Sequence, residues 1–343
     1  MPEPQRQPPP IEPAIDPALP ICDPHHHLWE HPQSRYLLGE LLADLGEGHH
    51  VTSTVFVECM SAYRASGPEP LRPVGETEFV ERVASEAAAG AEATPRVAAG
   101  IVGFADLCLG AAVDDVLEAH LAASSRFRGI RHAAGWHASP DIRNSHTDPP
   151  QGLLLDRRFR EGFSRLERYG LVFDAWLYHP QLEELTDLAR AFPSTTIVLD
   201  HFGGPLGIGP YEDRHDEVLR DWRRTIEPLA ACPNVVVKLG GLAMPINGFG
   251  WHKRPTPPSS EELAAAQAPY HETSIERFGA DRCMFESNFP VDRVSCSYSV
   301  LWNAFKRIAA GASAAEKAAL FHDTAARVYR VEAATTAARA GSS

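Results

Sequence analysis

Eight short runs of strand-forming residues, alternating with stretches of helical periodicity, constrain this chain more than anything else in it. The first is the apolar run at 19–22 (LPIC). The others lie at 51–59 (VTSTVFVEC), 96–105 (RVAAGIVGFA), 127–132 (FRGIRH), 171–178 (LVFDAWLY), 195–200 (TTIVLD), 234–239 (NVVVKL) and 282–285 (RCMF). Most are β-branched or aromatic and bounded by Gly, Pro or polar residues, as strands are. Between them, 76–89, 112–123, 159–169, 181–191, 216–227 and 270–278 place apolar residues three and four apart, which gives a helix one apolar face. Strand–helix alternation through eight rounds makes a parallel sheet, and closing that sheet makes a (β/α)8 barrel. An open doubly wound sheet is the rival, but no glycine-rich dinucleotide fingerprint follows the first strand. The expected fold is an α/β TIM-type barrel in a single domain over 20–331. The flanks differ in composition: the proline-rich 1–19 is expected to be a disordered arm, and 332–343 a frayed tail.

A barrel puts its chemistry at the C-terminal ends of its strands. Polar residues collect at those ends: His25 and His27 after the first strand, Glu58 on the second, Arg131 and His132 after the fourth. His179 follows the fifth, Asp200 and His201 the sixth, Lys238 lies on the seventh and Asn288 follows the eighth. Alternation puts Asp23, His25 and His27 on one side of their strand, so that the two imidazoles can grip a divalent cation or an anionic substrate. It likewise puts Met284, Glu286 and Asn288 on one face.

Composition removes several classes of function. A net charge of −13 over 343 residues argues against a nucleic-acid surface and against adsorption to anionic lipid. No run of 18 apolar residues and no signal-type segment is present, so no membrane span is expected. The six cysteines form no CxxC pair and suit reduced thiols, with the cytoplasm as the default compartment.

Four stretches are similar to a known family. Asp23-Pro24-His25-His26-His27 carries the pattern DxHxH. Leu199-Asp200-His201-Phe202-Gly203-Gly204-Pro205 carries L-D-H-x-G-x-P, and 234–242 and 321–329 look like the family's seventh strand and closing helix. In these the chain resembles the amidohydrolase superfamily, specifically the amidohydrolase-2 group, over about 20–331. That group includes sugar lactonases, 2-pyrone-4,6-dicarboxylate lactonase and relatives of aminocarboxymuconate-semialdehyde decarboxylase. The resemblance implies a hydrolase that opens a lactone or related cyclic ester, carboxylated or not, by attack of water. His25, His27, His179 and His201 are the implied metal ligands, for one divalent ion with zinc first, although lactonases of the group also work without metal. Metal-dependent nonoxidative decarboxylation or hydration on the same fold is the alternative, and a lapsed barrel that only binds a small molecule is the third reading.

One departure bears on the base. The family's eighth strand ends in Ser-Asp-aromatic-Pro, whereas here Glu286-Ser287-Asn288-Phe289-Pro290 puts an amide where the carboxylate belongs. An amide is a poor proton acceptor at neutral pH. His201, Asn288 and Glu286 are therefore the catalytic candidates, with Asp292 just beyond, and Asp200 is expected to fix a ring rather than bind metal. An internal ion pair between Lys238 and Glu286 is the competing role for Glu286. Arg131 is a fork for a substrate carboxylate or a rim salt bridge. Tyr178 and Trp251, with the long loops at 61–75, 133–155 and 246–260, are candidates for shaping the substrate site. The partner expected is a small-molecule substrate, and self-association into a homo-oligomer stays open.

Overall fold

The computed structural model describes residues 7, 10–32, 34–90 and 95–331. All eight expected strands form. They are β1 (Ile21–His26), β2 (Val51–Val57), β3 (Arg96–Gly103), β4 (Phe127–Arg131), β5 (Val172–Ala175), β6 (Ile197–Leu199), β7 (Val235–Leu239) and β8 (Cys283–Phe285). They hydrogen-bond in chain order, each parallel to the next, in one sheet. A single parallel bridge between His26 and Phe289 joins the two edges, beyond the end of β8. There the Asn288 N–H donates to the His25 carbonyl at 3.0 Å and the His27 N–H to the Phe289 carbonyl at 2.8 Å. The barrel thus closes at the end where the histidines lie.

The helices are α1 (Leu38–Leu45), α2 (Val74–Ala88), α3 (Asp114–Ala123), α4 (Arg157–Phe163), α5 (Arg165–Tyr169), α6 (Leu182–Ala191), α7 (His215–Ala230), α8 (Ser260–Phe278) and α9 (Tyr298–Ile308), followed by α10 (Ala314–Ala318) and α11 (Thr324–Val328). Local chemistry sets their starts. Asp156 accepts from the N–H groups of Arg158 and Phe159 to cap α4, and Ser259 and Glu262 cap each other across the first turn of α8. That capping box starts α8 ten residues before the expected 270–278, because Pro269 breaks the apolar rhythm without ending the helix.

The residues between sheet and helices form one large apolar core. A second cluster fills the barrel floor, where Cys22, Val55, Ala99, Val172, Val198, Val236 and Met284 meet Val328 and Tyr329 of the closing segment. The expectation of a disordered arm does not hold for residues 10–19. The Ile15 N–H donates to Asn303 Oδ1, Glu12 accepts from the Ser260 N–H and Lys306 donates to the Asp16 carbonyl, each at 2.8 Å. Proline excludes helix and central strand there, but an extended segment can still lie on α8 and α9 while their side chains satisfy its backbone. The rest of the expected arm, except residue 7, and the tail at 332–343 lie outside the described residues. Among the described residues no helix is long and apolar enough to cross a membrane.

Candidate active site

The inward positions of the last four strands follow one rule. Val172, Val198, Val236 and Met284 are apolar and belong to the floor. Two residues further on, one pleat higher, stand Asp174, Asp200, Lys238 and Glu286, all fully buried. Lys238 Nζ donates to Asp174 Oδ2 at 2.6 Å and lies 3.1 Å from Asp200 Oδ1. Burial alone would pull the ammonium down, but Asp174, Asp200 and Glu286 outweigh it and hold its pKa above the ordinary value. Burial pushes Asp174 up to about 6 against the pull of Lys238. The Tyr329 hydroxyl donates to the same Asp174 oxygen from below, at 2.8 Å.

The Lys238–Glu286 pair expected from the sequence does not form. Glu286 turns to two histidines instead: its Oε1 is hydrogen-bonded with His201 Nδ1 at 2.6 Å, and its Oε2 lies 2.7 Å from His25 Nδ1, whose hydrogen bond is with Lys238 Nζ at 3.2 Å. The His201 N–H adds a contact to Oε1 at 3.2 Å. That backbone group is aimed by a left-handed conformation at His201, φ 52°, which an L-residue adopts only when its surroundings hold it there. His27 Nδ1 lies 2.7 Å from the Val57 carbonyl, which can only accept. The proton of His27 is thus on Nδ1 and the lone pair on Nε2, and the carboxylate fixes the same tautomer at His201. The rings of His27 and His201 flank His25, with centroids 4.9 and 4.5 Å from it. Burial, aided by Lys238 at His25 and by Arg131 at His27, holds both of these histidines well below the ordinary imidazole range, so both are neutral at pH 7.

His25, Asp200 and His201 bring one ligand atom each to within 4.8 Å of one another. Both Asp200 carboxylate oxygens are buried without a hydrogen bond, with Lys238 3.1 Å from Oδ1 and Arg131 3.6 Å from Oδ2 as charge partners. Two imidazoles beside a buried carboxylate are a donor set that fits a divalent ion. Asp200 therefore sits among the donors, where the sequence suggested only a ring-fixing part. His27 and His179 stand outside that group. His179 Nδ1 accepts from the Leu206 N–H at 3.2 Å and its ring packs on Tyr211, so it serves as a loop corner.

The remaining candidates fall in place around this cluster. Arg131 Nε donates to Glu58 Oε1 at 2.7 Å, its Nη2 to the Glu58 carbonyl, and its Nη1 lies 3.6 Å from Asp200. His132, of opposite parity, packs outward against Phe104 and Phe159. Asn288 Nδ2 donates to Asp292 Oδ1 at 3.1 Å, which leaves its own Oδ1 as the accepting end. The Tyr178 hydroxyl is spent on the Arg143 carbonyl and Trp251 stacks on Phe249 at 4.5 Å, so both are built into packing. The 133–155 loop crosses above the site. His146 reaches the Glu58 carboxylate at 3.0 Å, while His137 meets Tyr211 on the far side. Sequence reasoning missed Asp174, although a lone carboxylate in an apolar strand was a signal. His146 was expected only as part of a loop that shapes the substrate site, not as a partner of Glu58.

The profile of the amidohydrolase family matches residues 22–331. An uncharacterized protein, y4mH, of Sinorhizobium fredii is 35% identical over 91% of this chain and 98% of its own length. An L-fucono-1,5-lactonase of Burkholderia multivorans is 28% identical over 90% of this chain and 95% of its own length. A crystal structure of an amidohydrolase from Burkholderia multivorans with zinc bound superposes with a TM-score of 0.68 at 25% identity, over 91% of this chain and 99% of that one. With its parallel barrel, its histidine–carboxylate mouth and a family match over nearly the whole chain, this protein belongs to the amidohydrolase family.

Proposed function

We propose that this enzyme opens a lactone by attack of water on the ring carbonyl, giving the hydroxy acid. The observation that carries the reading is the Glu286 carboxylate clamped between His25 and His201, beside Asp200, at the mouth of the barrel. The lactone class draws on the likeness to L-fucono-1,5-lactonase over almost the full length of both chains. His25, Asp200 and His201 would hold a divalent ion, zinc by the character of the donors, which supplies polarisation of the carbonyl when bound. Glu286 keeps His201 in the tautomer that presents Nε2. His27, outside the donor group, keeps an uncommitted Nε2 lone pair because Val57 fixes the other nitrogen. It takes the proton of the attacking water and returns it to the departing ring oxygen. Asn288, tied by its amide nitrogen to Asp292, offers Oδ1 to a water or a substrate hydroxyl.

Ring opening of a panel of sugar lactones, together with elemental analysis of the purified protein, tests this. His27→Ala is expected to lower kcat by about 10²–10⁴ and to keep the metal content, because removing a general base costs that much. His201→Ala is expected to lose the metal. No turnover across the panel, or loss of metal on His27→Ala, sinks the assignment.

A further inference from the structure

Arg131 is the residue a carboxylated substrate would need, and the protein has already used it. Nε and Nη2 both go to Glu58, through its carboxylate and its backbone carbonyl. Nη1 faces Asp200 at 3.6 Å and His25 Nε2 at 3.4 Å. Glu58 is secured in turn, since His146 reaches its carboxylate at 3.0 Å from the covering loop. Burial alone would push the Glu58 carboxyl up, but Arg131 and His146 reverse this and hold it at about 2, so it stays an anion. The other buried cation, Lys238, is shared between Asp174 and Asp200.

Among the described residues of this buried layer, two cations, Arg131 and Lys238, thus face four carboxylates, Glu58, Asp174, Asp200 and Glu286. The balance is two negative charges in excess, and a seated divalent ion brings it to neutrality rather than to a positive field. Of the loop arginines, Arg64 is paired with Glu78, and Arg72 and Arg143 are exposed to solvent. Bringing a further carboxylate into this layer strips its hydration, and among the described residues of the layer both cationic side chains are already paired.

Resting on the lactone reading, we infer that the Glu58–Arg131–His146 clasp makes the site select neutral, hydroxyl-bearing lactones and reject carboxylated ones. Glu58 is the positioning residue for this choice, acting through Arg131. The test compares a neutral sugar lactone with a carboxylated lactone of the same ring size, in wild type and in Glu58→Gln. Wild type is expected to favour the neutral compound in kcat/KM by about 100-fold or more, since burying a carboxylate without a paired cation costs several kcal/mol. Glu58→Gln keeps an acceptor for Arg131 but removes the balancing charge. It is expected to narrow the ratio by about tenfold or more, chiefly through KM for the carboxylated lactone, as the Arg131 charge is then no longer answered by a carboxylate at residue 58. Equal or faster hydrolysis of the carboxylated lactone by wild type, or an unchanged ratio in a folded Glu58→Gln, overturns the inference. Calorimetric binding of the matching neutral and carboxylated lactams to wild type decides the case without turnover or a folded variant. Tighter binding of the neutral lactam supports the inference, and equal or tighter binding of the carboxylated one overturns it. Hydrolysis of neither lactone sinks the hydrolase reading alone.

Discussion

Asp292 shows how far burial can move one carboxyl in this site. It is fully buried, and desolvation pushes it from the usual 3.8 to about 7, against the pull of His201, of the Asn288 amide and of the Ala243 N–H. Between those two values the folded protein holds a proton that the unfolded chain has released, so this group's contribution to stability falls as pH rises from about 4 to about 7. Asp292→Asn is expected to flatten that part of the stability–pH curve, measured as urea midpoints across the same range. A curve of unchanged slope would mean that the carboxyl titrates normally. At this scale the sequence is readable wherever a strict period applies. Asp200, Lys238 and Glu286 each stand two residues beyond an apolar floor position, and alternation alone puts them in the barrel. His146 could not be found that way, because no period constrains a loop. Nor could the partner of Glu286 be chosen, since Lys238 and the two histidines all lay within its reach and only the packed geometry selects between them.

Two adjacent glycines let the end of β7 approach the site. A Cβ on Gly240 would meet the Glu286 carbonyl at 2.3 Å, and one on Gly241, φ +72°, would meet His201 Nδ1 at 2.4 Å. The Lys238-Leu239-Gly240-Gly241 turn is thus the wall against which the Glu286–His201 pair is set. Gly241→Ala is expected to displace the His201 ring and lower kcat by about 10²-fold, the order of loss that a 1 Å misplacement produces, with a lower Tm from the strained φ. Full activity in this variant would show that the ring has room to spare. Elements were the most legible level of this chain. All eight strands overlap the runs the residue pattern marks, although β1 runs on through His25 to His26 rather than ending at Cys22, and β5 and β6 end earlier than expected because Leu177–Tyr178 and Asp200 already lie in the connections at the mouth. The expected helices did not include α9, although Tyr298, Leu301, Trp302 and Phe305 recur three and four apart and its apolar face is buried.

At the level of the whole molecule, the barrel is completed by side chains as much as by its sheet. Asp23 Oδ1 accepts from the Ser287 N–H and its Oδ2 accepts from the Tyr298 hydroxyl, each at 3.0 Å, so one carboxylate pins the start of β1 to the end of β8 and to α9. The DxHxH aspartate therefore serves closure, while the histidines after it face the site. Asp23→Ala leaves two buried donors unpaired and is expected to cost about 2–6 kcal/mol of unfolding free energy in urea titrations, given about 1–3 kcal/mol for each orphaned group. A loss below 1 kcal/mol would show that the seam is held by its backbone bridge alone. The covering loop could be recognised from its length, but its attachment to Glu58 could not, because it joins residues 88 positions apart in the chain. The Tyr329 hydroxyl on Asp174 joins residues 155 positions apart. It ties Lys238, and through it the electrostatics around His25, to a side chain in the segment that follows all eight strands. Synthesis runs from the N-terminus, so a nascent chain can carry every strand of the barrel and still lack the group that steadies its charged layer. The order of translation makes the candidate site one of the last parts of this barrel to mature.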